Sequence, residues 1–219
     1  MSQEIQRKLQ SFGLLPVLRA ESNLEAHALV EALWLGGVTV IEITMTVPNA
    51  IELMRDLKTK YRDLLLGAGT VLDAQQASAA IEAGAEFVVS PSFHPEVILR
   101  TRKMGKVSIP GALTPTEVVS AWNAGADFVK IFPCSAVGGP GYLRALKAPF
   151  PQIRLIPTGG VTLETAPHYL RAGAAALGVG TDLVNPAAIS QGRPESITQI
   201  AQAYLTILQR ERASGGPLS

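Results

Sequence analysis

Four times along the chain a helical stretch runs into a small-Gly-small corner and then into an apolar, strand-forming run. The copies read "ALWLGGVTVIEIT", "AIEAGAEFVVSPS", "AWNAGADFVKIFP" and "YLRAGAAALGVGT". Their corner glycines are Gly37, Gly84, Gly125 and Gly173, separated by 47, 41 and 48 residues. Between them lie the strand-like runs "LLLGAGTV" (64–71), "KVSIPGAL" (106–113) and "IRLIPTGGV" (153–161), and "LLPVLRA" (14–20) stands at the front, which makes eight strands. A plausible helix follows each strand. Asn23, Asp73, Thr114 and Thr162 sit near helix starts as caps, and glycine is the expected helix stop. Strands alternating with helices over this length predict an α/β chain folded as a single (β/α)8 TIM barrel. A doubly wound open sheet is the runner-up, weakened because no GxGxxG fingerprint follows an early strand. The barrel is expected over residues 1–213 as one domain, with 214–219 a disordered tail.

Composition narrows the class. Hydrophobic residues make up 47% of the 219 positions but aromatics only 5%, so the core is aliphatic, as buried parallel strands require. The formal net charge is +1 and the charges are dispersed, which argues against nucleic acid or a membrane surface as partner. Cys134 is the only cysteine, so neither an internal disulfide nor a cysteine-rich metal site is available. The polar start "MSQEIQRKLQ" lacks the apolar core of a signal peptide, and a cytoplasmic setting is expected. His27, His94 and His168 show no metal-ligand spacing, so no metal is expected.

One residue breaks the apolar pattern. Lys130 lies in "GADFVKIFPCS" between Phe128, Val129, Ile131 and Phe132, where a buried unpaired ammonium is costly. Five residues beyond each corner glycine stand Glu42, Val89, Lys130 and Gly178. Alternate strands of such a barrel contribute to one interior layer. Lys130 and Glu42 are therefore expected to face each other across the interior, with Val89 and Gly178 leaving room between them. A structural ion pair is one reading. The other is a nucleophilic amine beside an acid/base carboxylate, suited to Schiff-base chemistry on a carbonyl.

The strand ends supply further candidates. Arg19 closes "PVLRA", where a guanidinium could clamp a substrate carboxylate. Thr44 and Thr46 follow Glu42, and Thr70 ends "GAGT". The turns "PTGGV" and "GVGTDL" follow strands seven and eight, where such barrels commonly expose backbone N–H groups to a phosphate. Thr158, Gly159, Gly160, Gly180 and Thr181 are the candidates there; tight turns alone would also explain the glycines.

Taken in order, "PVLRA", "GGVTVIEITMTVPNA", "GAGTV", "GAEFVVSP", "IPGALTPTE", "FVKIFP", "PTGGV" and "GVGTDLV" resemble the 2-keto-3-deoxy-6-phosphogluconate (KDPG) / 4-hydroxy-2-oxoglutarate aldolases. The resemblance implies a class I aldolase that releases pyruvate from a 2-keto acid through a lysine Schiff base, without metal or organic cofactor. It implies Lys130 as the Schiff-base lysine and Glu42 as the proton-transferring group. Arg19, Thr70 and Thr158 to Gly160 would hold substrate, and the protein would be a homotrimer. Thr46 stands where some members carry arginine, and Cys134 and Ser135 stand where many have an acidic residue. The segment "KIFPCSAVGGP" looks closer to relatives acting on the galactonate epimer. Alternatives at this point are 4-hydroxy-2-oxoglutarate or 2-keto-3-deoxy-6-phosphogalactonate as substrate, a sugar-phosphate isomerase or epimerase, and a non-catalytic phosphometabolite-binding barrel.

Overall fold

Apolar runs joined by helices can bury both faces only if each strand pairs parallel with its predecessor, and the chain does so. The structure is a computed structural model and describes residues 2–213; the expected tail, 214–219, lies outside the described residues. A helix, α1 (Ser2–Phe12), precedes β1 (Leu14–Leu18), α2 (Asn23–Leu35), β2 (Val40–Thr44), α3 (Ala50–Lys60) and β3 (Leu65–Gly69). There follow α4 (Ala74–Glu82), β4 (Phe87–Val89), α5 (Pro95–Lys103), β5 (Val107–Ile109), β6 (Gly111–Ala112), α6 (Pro115–Asn123) and β7 (Val129–Ile131). The last elements are α7 (Gly139–Lys147), β8 (Leu155–Pro157), α8 (Ala166–Arg171), β9 (Leu177–Val179), α9 (Pro186–Ser190) and α10 (Pro194–Ala213).

Pairing runs β5-β4-β3-β2-β1-β9 in one sheet and β6-β7-β8 in the other. The two sheets are one ring. β5 and β6 are the halves of a single barrel strand, parted at Pro110, and a parallel bridge between Thr158 and Gly178 closes β8 onto β9. The uninterrupted strand expected over 106–113 is thus divided. Proline has no N–H to give the ladder, and its carbonyl instead accepts from Lys130 N at 2.9 Å.

The corner glycines do a uniform job. Gly37, Gly84, Gly125 and Gly173 take φ of 87°, 108°, 96° and 95°, a left-handed conformation that ends each helix with paired backbone bonds. Gly105 and Gly192 end α5 and α9 in the same way, and both fall outside the repeat as read from the sequence. Two expected caps hold: Asp73 Oδ1 accepts from Gln76 N at 2.8 Å, and Thr114 makes a reciprocal capping box with Glu117. Two shift. The cap of α2 is Ser22, one residue before Asn23, and Thr162 caps a single turn that precedes α8, whose own N-cap is Thr165.

Strand residues alternate between two apolar layers. Ile41, Ile43, Val129 and Ile131 point outward under the helices, whereas Leu15, Val40, Phe87, Val89, Phe128 and Ile156 fill the barrel. Ile5 and Leu9 of α1 join that inner cluster. Gln6 of the same helix donates to Asp127 Oδ1 at 2.6 Å and accepts from Arg154 at 3.0 Å. The helix plugs the amino-terminal floor of the barrel and leaves the carboxyl-end mouth as the place for chemistry. Among the described residues no helix is long and apolar enough to cross a membrane.

Candidate active site

The alternation that sends Phe128 into the barrel sends Lys130 there too. Lys130 is 6% exposed and Glu42 fully buried, and Lys130 Nζ lies 3.6 Å from Glu42 Oε1. They come from β7 and β2, diametrically opposed strands of the ring. Val89 is buried in the inner cluster, and Gly178 leaves space that Thr158 fills, since a Cβ there would strike Thr158 Oγ1.

Glu42 is held in an unusual manner. Neither carboxylate oxygen has a hydrogen-bond partner among the described residues. Its position is set by Gly69 of β3, where a Cβ would occupy the space of the Glu42 carboxylate, as a Cβ on Gly67 would overlap the Phe87 ring. A buried carboxylate without donors is expensive, and the ammonium at 3.6 Å is its nearest compensation. The other side of Lys130 is apolar: Nζ lies 5.6 Å from the centre of the Phe132 ring.

Above this pair, toward the mouth, opens a cavity of about 440 Å³, within the usual range for small-molecule sites. Its lining contains Arg19, Thr158, Gly159, Gly160, Gly180 and Thr181, so the residues expected after strands one, seven and eight meet in one place. Phe132 and Asp182 also line it. Arg19 is the one cationic lining residue and is exposed. Thr158 Oγ1 is buried without a hydrogen-bond partner among the described residues. Lys130 and Glu42 do not line this cavity but lie one step deeper, Lys130 on β7 and Phe132 two residues later in the turn just past its end. Thr70 is not in the lining either; half-buried at the end of β3, it adopts φ of 59°, a strained conformation for a β-branched residue. Thr44 and Thr46 hydroxyls are bonded to each other at 2.7 Å.

The glycine turns are built to leave donors free. Gly159 and Gly160 take φ of 88° and 74°. Leu183 N and Val184 N both donate to Gly180 O, making one helical turn whose first N–H groups, on Thr181 and Asp182, have no protein acceptor among the described residues. Gly160 N is free likewise. The segment after Phe132 is sewn to the first of these turns: Cys134 N donates to Thr158 O at 2.9 Å and Ser135 N to Gly159 O at 3.2 Å. Burial pushes the Cys134 thiol up to about 11, so it stays protonated and does not compete with the lysine as nucleophile. Among the described residues no group of three or more His, Cys, Asp or Glu could hold a metal ion.

Sequence reasoning did not single out Phe132 and Asp182. Phe132 was legible as the second residue after Lys130, whereas Asp182 lies within the turn "GVGTDL" and carries the opposite charge to that expected there.

Comparison with known proteins points to one family. The family described as "Aldolase: KDPG and KHG aldolase" matches residues 5–200. The 2-dehydro-3-deoxy-phosphogluconate aldolase of Treponema pallidum is 34% identical over 200 residues, covering 91% of this chain and 95% of its own. The 2-dehydro-3-deoxy-6-phosphogalactonate aldolase of Escherichia coli K12 is 36% identical, covering 90% of this chain and 96% of its own. Among solved structures, the KDPG aldolase of Legionella pneumophila, with pyruvate captured as a covalent carbinolamine intermediate, superposes with a TM-score of 0.84. Its sequence is 31% identical, and the match covers 91% of this chain and 97% of that one.

Proposed function

The chain belongs to the KDPG and KHG aldolase family, and on that premise we propose that it cleaves 2-keto-3-deoxy-6-phosphogluconate reversibly to pyruvate and glyceraldehyde 3-phosphate, with Lys130 as the Schiff-base lysine. It is an aldolase, hence a lyase, and it acts on a keto-deoxy phosphosugar. The observation that carries the assignment to Lys130 is the buried pair itself: an amine 3.6 Å from a carboxylate that has no hydrogen-bond partner among the described residues, beneath an open cavity. As a device for stability such a pair has little advantage over apolar packing.

The mechanism follows in steps. The Lys130 amine, its proton passed to Glu42, attacks the C2 ketone and forms a carbinolamine. Loss of water, with a proton delivered to the departing oxygen, leaves a protonated imine. The C4 hydroxyl then loses its proton, the C3–C4 bond breaks, and its electrons move into the imine, giving the aldehyde and an enamine of pyruvate. Protonation at C3 and addition of water release pyruvate and restore the amine. Glu42 serves as the proton carrier in each of these transfers.

Arg19 would take the substrate carboxylate, and Thr70 and Thr158 would position the reacting end. The free N–H groups of Gly160, Thr181 and Asp182, with Gly159 and Gly180 keeping the turns open, would take the phosphate. A second reading, the galactonate epimer as substrate, is favoured by the segment "KIFPCSAVGGP", which packs on the Gly159 turn, and by the 36% identity to the Escherichia coli K12 enzyme for that epimer. Rates of pyruvate release from the two epimers, measured in parallel, decide between them.

The family resemblance further suggests a homotrimer, read by sedimentation or mass photometry. We take residues 1–213 as one barrel domain, and the single cysteine as suited to a reducing cytoplasm. The decisive test of the chemistry is incubation with pyruvate and borohydride, followed by peptide mass spectrometry. A pyruvate-derived adduct confined to Lys130 is expected. No adduct, under conditions where a known Schiff-base aldolase labels, overturns the assignment.

A further inference from the structure

Asp182 puts a carboxylate into the cavity that the reading above gives to a phosphate. Left facing the anion, it would oppose the charge that the two glycine turns are shaped to accept. The structure contains a counter to it. Tyr204, fully buried in α10, directs its hydroxyl to the gap between the turns, where it donates to Asp182 Oδ2 and lies 3.5 Å from Val161 O. Val161 belongs to the turn after β8, and Asp182 to the turn after β9. A hydroxyl has one proton to give, and the much shorter separation assigns it to Asp182. Burial, reinforced by the Asp182 carboxylate, raises the Tyr204 phenol far above its ordinary value, so the donor is present at any working pH.

We propose that Tyr204 is a positioning residue for phosphorylated substrates: its hydroxyl binds the Asp182 carboxylate on the side away from the cavity, leaving the N–H groups of Gly160, Thr181 and Asp182 to the anion. This rests on the phosphate site of the preceding reading. The residue touches neither substrate nor reacting atoms. Its effect is confined to the charge and aim of Asp182 and to the spacing of the two turns.

Tyr204→Phe removes the hydroxyl and keeps the ring packing. Loss of a hydrogen bond to a charged group corresponds to about a 10- to 100-fold weakening, and that is the expected rise in the dissociation constant of inorganic phosphate, measured calorimetrically. The KM for a phosphorylated substrate rises in parallel. The KM for 4-hydroxy-2-oxoglutarate, which carries no phosphate, moves less than about twofold, because the turns do not hold it. Adding Asp182→Asn to Tyr204→Phe removes the freed charge and restores phosphate binding toward that of the parent protein. A purely structural tyrosine gives a different result: both substrates suffer alike and the asparagine brings no rescue. Either unchanged phosphate binding in Tyr204→Phe or failure of that rescue overturns the proposal. Absence of phosphate binding by the parent protein overturns it together with the phosphate site, while pyruvate labelling of Lys130 reports separately on the aldolase chemistry. Melting curves of each variant establish that the comparison is between folded proteins.

Discussion

Removing one member of the Lys130–Glu42 pair should cost far more than removing both. At 3.6 Å the two charges attract by about 5 kcal/mol at an effective dielectric constant of about 20. Lys130→Met abolishes that attraction and leaves the Glu42 carboxylate fully buried with no hydrogen-bond donor, a state that typically costs about 3–5 kcal/mol. Against a total stability of roughly 5–15 kcal/mol this is a severe loss. Lys130→Met/Glu42→Leu replaces both charges by side chains of similar bulk, and its stability should return to within about 2 kcal/mol of the parent. With Glu42→Leu as the second single variant, the cycle shows a coupling of about 3 kcal/mol or more, measured by urea unfolding at pH 7 and one protein concentration. Pyruvate labelling is absent from the two variants that lack Lys130, so stability and chemistry part company in the double variant. A single variant as stable as the parent, or a double variant whose losses simply add, would refute the view that these charges compensate one another.

Further expectations follow from other parts of the site and fold. Glu42→Gln keeps the shape beside Gly69 but removes the proton carrier, and kcat for pyruvate release should fall by about 10²–10⁴; a fall below tenfold contradicts that role. Gly160→Ala introduces a Cβ at φ 74° against Ser135 Oγ, costing about 1–2 kcal/mol by strain and raising the KM for phosphorylated substrate; unchanged melting temperature and KM count against the turn geometry. The backbone N–H groups of Thr114 and Leu113 hold the Glu117 carboxyl below its usual range. Its contribution to stability is therefore complete above the unfolded value of about 4.3 and lost as pH falls through the lower folded value. Glu117→Gln should flatten that part of the melting temperature against pH, and an identical acid limb in both proteins removes the inference.

The periodic parts of the chain were the legible ones. The corner glycines Gly37, Gly84, Gly125 and Gly173 declared themselves because an alanine or valine follows each and a strand follows that. Gly105 performs the same turn but is followed by Lys106, which hid it. The division of the fifth strand at Pro110 has a signal in the proline itself, masked by the apolar run around it. The opposition of Lys130 and Glu42 could be read by counting from the corners, since strand alternation fixes which side chains enter the barrel. The plug formed by α1 could not be read that way: Ile5 and Leu9 are isolated apolar residues in a polar stretch, and only the closed floor of the barrel gives them a partner. Asp182 and Tyr204 were hidden for a related reason. Their hydrogen bond links residues 22 positions apart on different elements, and no local pattern marks it.

The two glycines of β3 have a consequence for the proton traffic of the proposed reaction. A carboxylate pinned by donors has its lone pairs aimed, and each new target requires those bonds to break. Glu42 is confined instead by walls, one of them the missing side chain of Gly69, with neither oxygen hydrogen-bonded among the described residues. Such a group can swing about its final torsion at little expense while its position along the barrel axis stays fixed. A single carboxylate is then able to serve the amine, the departing water, the C4 hydroxyl and C3 in succession. On this view the glycine at 69 supplies mobility in one degree of freedom, and a residue with any side chain there would turn a proton carrier into a wedge.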